Sequence, residues 1–201
     1  MQEARIERIA RRVGINRAVI YRHFASKEEL FALTITRYLA EIEALLQAVG
    51  YQTEDPRERL RRGFESFAEY GIEHPAFLDC ALSLLRQPAQ ELREQVSRDV
   101  WSRLGQAMGG CLGWLAEVLA ALHVDNPDFR ANQLYLQAIG VLHLARSGIG
   151  LRGVLPGVAE AFPVSVAEVR DACVQGALAV AAESQAASHN APPPEGSEAK
   201  Q

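Results

Sequence analysis

Between Asn16 and Lys27 the chain gathers side chains suited to contact with a polyanion that carries a sequence. Arg17 offers a planar fork of donors matching guanine O6 and N7, and Ala18 and Val19 offer small apolar surfaces that fit a thymine methyl. Tyr21, Arg22 and His23 follow within a turn and suit phosphate oxygens, which position a protein without specifying sequence. Lys27 stands in the first turn of a further helix, where backbone N–H groups also favour an anion. Arg5 adds another cation upstream.

These residues need a scaffold that points them one way. Upstream, Ile6, Ile9, Ala10 and Val13 step by three and four, the spacing of an amphipathic helix, and Gly14 stops it. Asn16 can cap a second helix running to about Phe24, with Ile20 and Phe24 on its buried side. Two short helices around a glycine turn make a helix-turn-helix, whose second helix lies in the major groove. Charge agrees with this. Residues 1–27 carry seven basic side chains against two acidic ones, a net of +5, so the rest holds −9 within a total of −4. A basic module on an acidic body fits nucleic-acid contact at one end; a merely solvated charged face fits the same count.

Helical patterning continues almost to the end, which predicts an all-α chain. Ser26 and Glu29 form a capping box opening a long helix with an apolar face of Leu30, Phe31, Ile35, Tyr38, Leu39, Ile42, Leu45, Leu46 and Val49, ended by Gly50. At ~1.5 Å per residue it spans roughly 34 Å, enough to join two modules rigidly. Further helices are expected from Pro56 to "EHP" at 73–75 and from Ala76 to Arg86. Another runs from Pro88 to His123, with a bend at Gly109–Gly110. Two more cover Asp128 to Ser147 and Ser165 to Ser184. The Gly/Pro-bearing stretch between the last two carries no strand signal, there is no internal repeat, and the tail reads as disordered.

The residues "IARRVGINRAVIYRHFASKEEL" resemble the helix-turn-helix signature of the tetracycline-repressor-type (TetR) family of bacterial regulators. The matching elements are Ile9-Ala10, Gly14, Tyr21-x-His23-Phe24 and Ser26-Lys27-Glu28 leading into a long helix. The resemblance covers about 30 residues closely, and the helical layout downstream agrees with it. It implies a homodimeric repressor acting on double-stranded DNA at a palindromic operator. The N-terminal helix-turn-helix module (residues 1–46) would join through the long helix to a helical ligand-binding and dimerisation domain (47–186), followed by a disordered tail (187–201). The last two helices would pair with those of a second copy. Ala138 and Ala145, with Val169, Cys173, Gly176, Ala177 and Val180, offer small-residue faces for that approach, and the dimer is expected there; internal packing is the competing account of the same residues.

The departure from the family pattern lies at the start. A full helix ordinarily precedes this signature, whereas five residues precede Ile6, and Ala4 and Arg5 stand where a capping Thr or Ser is common. Either the start is set late, or the chain is truncated, or specific DNA binding has been lost. The last gives the competing reading, a helical ligand-binding and dimerising protein.

For a small-molecule effector, the body offers Phe64, Phe67, Tyr70, Met108, Trp114, Tyr135 and His143, apolar walls with a few polar groups. Each of these also suits an ordinary core. An enzyme is not expected: the histidines at 23, 74, 123, 143 and 189 share no ligand or catalytic spacing, and "GIGLRG" at 148–153 follows no strand. No cofactor or metal is expected either. Cys80, Cys111 and Cys173 match no metal spacing and read as small buried residues. No membrane-spanning segment or secretion signal is present, so a cytoplasmic location is expected.

Overall fold

The structure, a computed structural model, describes residues 24–155 and 157–189. The expected helix pair between Ile6 and Phe24 lies outside the described residues, as do residues 190–201. What is described is a bundle of helices with one β-hairpin.

Helix α1 (Lys27–Gln52) is its axis. Ser26 caps it from extended geometry, its Oγ accepting the Glu29 N–H at 2.9 Å. The Glu29 carboxylate returns to the Ala25 N–H at 2.6 Å, closing the box one residue before the cap. Ala32, Ile35, Leu39, Ile42, Leu46 and Val49 then alternate by three and four, and all are buried. Leu45, expected on that face, is 40% exposed. The helix passes Gly50 and ends at Gln52, where Thr53 turns extended. Gly50 serves close approach instead: Arg59 Nη2 donates to its carbonyl at 3.0 Å.

Helix α2 (Pro56–Glu73) starts on Asp55, which accepts from Arg57 N–H at 3.1 Å, with Pro56 in the first turn. Helix α3 (Pro75–Leu85) follows directly. The single helix expected from Pro88 to His123 is instead two, α4 (Ala89–Gln95) and α5 (Arg98–Ala121). Val96 adopts an extended conformation and Ser97 caps the new helix, accepting from Val100 N–H at 3.4 Å. Gly109 and Gly110 lie inside α5 without a break. A Cβ on Gly110 would sit 2.5 Å from the Glu43 carboxyl, so this glycine lets α5 approach α1.

Helix α6 (Pro127–Ser147) closes on Gly148 in the left-handed region, whose N–H donates to Leu144 O at 2.8 Å. Strands β1 (Ile149–Leu155) and β2 (Val158–Pro163) come next, antiparallel, where no strand was expected. Gly150 faces Phe162 across the ladder, and a Cβ there would strike the Phe162 ring. Arg152 and Glu160 form a cross-strand ion pair at 2.9 Å, and Gly157 takes a φ of 81° at the turn. The glycines that look like a loop signal are what the pairing requires. Helix α7 (Val166–His189) opens on a second capping box, Ser165 with Glu168, and runs past the expected boundary at 187.

In the core, α1 packs against α5, α2 and α3, while α7 lies against α2 and α6. The module boundary expected at 46/47 falls within α1, whose buried stripe belongs to the body on both sides of it. Phe77 is fully buried where the edges of Tyr38, Phe67 and Tyr70 meet it, with ring centroids 5.9–6.2 Å away. Phe77→Ala is expected to cost about 3–5 kcal/mol, read as a lowered denaturation midpoint at unchanged slope.

Candidate functional site

Three polar contacts fasten the first turn of α1 to the segment between α3 and α5. Ser26 Oγ, besides capping its own helix, donates to Gln95 O at 2.6 Å. Glu29 Oε1 accepts the Ser97 N–H at 3.1 Å. Glu28 Oε1 accepts from Gln87 Nε2 at 3.0 Å, and Lys27 Nζ lies 3.2 Å from the same oxygen. Since Ser97 also caps α5, the starts of α1 and α5 are joined through one carboxylate. Glu28 and Glu29 are both buried, and these partners offset the cost of removing carboxylates from water. Hydrogen bonding from the Ser97 side chain first, then from the Ala25 N–H, holds the Glu29 pKa below the ordinary carboxylate value despite burial.

Further along, α1 becomes a cavity wall. Leu39, Ile42 and Leu46 meet Phe64, Phe67, Met108, Trp114 and Tyr135 around an inner chamber of about 40 Å3. Gly63 belongs to this wall because a Cβ there would lie 2.5 Å from the Trp114 ring. The polar groups in the lining are muted: burial pushes the Cys111 thiol and the Tyr135 phenol each up to about 12, so both stay neutral at pH 7. The Cys111 thiol donates to Leu39 O at 3.4 Å. A larger chamber of about 370 Å3 adjoins between α1, α3, α4 and α5, and Met108 and Tyr135 line both.

Five of the seven residues expected to line a pocket therefore converge. Tyr70 and His143 do not. The Tyr70 hydroxyl donates to Glu41 at 2.5 Å and its ring stacks on His74 at 4.1 Å, while His143 is exposed on α6. The residues expected at a dimer interface lie in this chain's own packing: Ala138, Val169, Cys173, Ala177 and Val180 are buried, Ala145 is half-buried, and Gly176 meets the Gln137 side chain. Small side chains here let α7 sit close to α2 and α6. The exposed apolar residues of that end are Phe129, Leu136 and Leu144 on α6, Ile149 and Leu151 on β1, and Val166 at the start of α7.

Of the residues expected to touch DNA, Lys27 is described, in the first turn of α1 beside Glu28. Arg5, Asn16, Arg17, Ala18, Val19, Tyr21, Arg22 and His23 lie outside the described residues. Gln87, Gln95 and Ser97 went unremarked in the sequence, since nothing local marks a partner 59 to 69 positions away. Among the described residues no cluster of His, Cys, Asp and Glu could hold a metal ion, and no helix is long and apolar enough to cross a membrane. "GIGLRG" follows a helix and forms most of β1.

Residues 1–34 match the family of bacterial regulatory proteins called tetR. Over 71 residues the chain is 35% identical to the HTH-type transcriptional activator FasR of Mycolicibacterium smegmatis, covering 35% of this chain and about a third (32%) of that relative's length. Its fold resembles that of a TetR-like transcriptional regulator from Rhodococcus sp. RHA1, with a TM-score of 0.57 at 21% identity over 90% of this chain and 84% of that one. The TetR family transcriptional regulator PfmR of Thermus thermophilus gives 0.56 at 20% identity, covering 87% of each.

A carboxylate with a lowered folded pKa contributes stability above its unfolded value, near 4.3, and loses it as pH falls through the folded value. Wild type is therefore expected to lose stability more steeply than Glu29→Gln on acidification below about pH 4.5, checked by urea midpoints across pH.

Proposed function

From a chain of the TetR type in its first 34 residues and in its fold, we propose a ligand-responsive transcriptional regulator, a homodimer that represses from a palindromic operator. The observation that carries this reading is the double role of α1. Its first turn follows directly on the residues suited to DNA, and its middle turns wall an apolar cavity.

Arg17, Ala18 and Val19 would meet base edges. Asn16 would cap their helix, and Arg5, Tyr21, Arg22, His23 and Lys27 would hold phosphates. Two such helices in successive major grooves stand about 34–36 Å apart. The second copy would seat on the exposed apolar stripe of Phe129, Leu136 and Leu144, where Gly140 leaves room for close approach. This places the partner on the outward face of α6, while the small residues of α7 serve the chain's own core.

Induction needs no bond to form or break. A small, largely apolar molecule entering beside Met108 changes the packing of α1 against α5, and α1 tilts about the Glu29–Ser97 junction. A ligand that prefers the tilted arrangement weakens DNA binding by the factor by which DNA weakens ligand binding. FasR is named an activator, and the same linkage with the opposite preference gives activation.

The test is fluorescence anisotropy of the chain on DNA from its own upstream region against random DNA, at two salt concentrations. Arg17→Ala is expected to cost about 1–3 kcal/mol on the operator and relax specificity, while Lys27→Ala weakens all sequences alike and lowers the salt slope by about one. Failure of wild type to distinguish the two DNAs would remove the reading.

A further inference from the structure

Arg59, in the first turns of α2, is half-buried and has no ion pair among the described residues. Its neighbours are neutralised at once: Arg61 lies 2.7 Å from Glu58 and 2.9 Å from Glu65, and Arg62 lies 2.6 Å from the same Glu58. Part of the role of Arg59 is plain. Its Nη2 donates at 3.0 Å to Gly50 O, one of the last carbonyls of α1, which lack a partner inside the helix. That bond leaves the rest of the guanidinium unanswered. Nε is sealed from water with no acceptor, and an arginine cannot shed its proton to escape the cost. Nη1 makes no hydrogen bond among the described residues either, and it is not sealed as Nε is. It is the atom left open to a ligand.

A second donor stands at the same place. A Cβ on Gly50 would lie 3.1 Å from Arg59 Nη2 and 3.8 Å from Trp114 Nε1, so guanidinium and indole flank one point near the end of α1. The half-buried Trp114 has no acceptor for its N–H among the described residues, and that nitrogen is not sealed. The edge of an aromatic ring is positive, as is the guanidinium, so the two repel until an anion lies between them. A carboxylate brings two oxygens, one for each donor. A single cation matches a single negative charge, and the carbonyl end of α1 alongside opposes a second.

We propose that this corner of α1, α2 and α5 binds a small carboxylate, with one oxygen on Arg59 Nη1 and the other on Trp114 Nε1. The site is separate from the apolar effector cavity and does not depend on DNA binding. Trp114 joins the two, because the far edge of its ring forms part of the inner chamber wall, 2.5 Å from where a Cβ on Gly63 would stand. A carboxylate that holds this ring in place sets the shape of the chamber. Carboxylate and apolar ligand then change each other's affinity by one shared factor.

The chain has two tryptophans, so Trp101→Phe leaves Trp114 as the reporter. Propanoate, its uncharged counterpart propanamide, inorganic phosphate and chloride are titrated onto that variant of the full chain at matched ionic strength. Propanoate is expected to change Trp114 emission saturably, and propanamide and chloride to leave it unchanged. By calorimetry, Arg59→Gln is expected to weaken propanoate tenfold or more, about the worth of a charge-assisted hydrogen bond. Trp114→Phe, which keeps a ring and loses the N–H, is expected to weaken it about three- to tenfold. Arg59→Lys keeps a charge and a donor toward Gly50 but loses the fork, and should bind less tightly than wild type; it decides the matter if circular dichroism shows Arg59→Gln unfolded. Absence of a saturable response, an equal response to propanamide or chloride, or wild-type affinity in both Arg59→Lys and Trp114→Phe overturns the proposal. Tighter binding of phosphate than of propanoate overturns the assignment to a carboxylate. Each of these results leaves the DNA-binding reading to its own test.

Discussion

The Glu29 carboxylate accepts from Ala25 at the start of α1 and from Ser97 at the start of α5, and much of the molecule follows from that shared oxygen pair. It joins residues 68 positions apart and makes the cap of one helix depend on the cap of another. Small residues set how closely α5 approaches its neighbours, because Gly110 gives way to Glu43 of α1 and Gly63 of α2 gives way to Trp114. Hydrogen bonds at the first turn set where α1 begins. The helix is thus anchored at one end and packed along its length.

That arrangement gives the cavity its meaning. A chamber enclosed by fixed walls would store a ligand without consequence. Here Leu39, Ile42 and Leu46 of the anchored helix are the wall, so a change in chamber contents has to be met by α1, by Met108, or by both. The neutral Cys111 and Tyr135 keep the inner chamber free of charge.

Much of this was legible in the sequence where the signal is local. Ser26 with Glu29 marked a helix start, the stepping from Ile35 to Val49 marked its buried face, and five large side chains marked the inner chamber. What could not be read depends on partners far along the chain. The break at Val96–Ser97 has no proline or glycine to announce it, and it exists because Ser97 answers both Glu29 and its own helix. The β-hairpin was hidden for the opposite reason. Gly148, Gly150 and Gly157 look like a loop, yet one ends a helix, one admits the Phe162 ring and one turns the chain. The alanines of α7 illustrate a third case: small residues at helical spacing fit a subunit interface and a tight core equally, and only burial shows that they pack inside this chain.

The central claim is that occupancy of the cavity moves α1 and with it the spacing of the DNA-facing helices. It is tested most directly by the distance between spin labels on Ala18→Cys in the two proposed subunits, with the native cysteines replaced, measured with and without dodecanamide as a small, largely apolar probe. The account expects a distance near the 34–36 Å of successive major grooves in the DNA-bound protein, about one helical turn of DNA, and a shifted distance when the amide releases DNA. Release of DNA at an unchanged distance would contradict it.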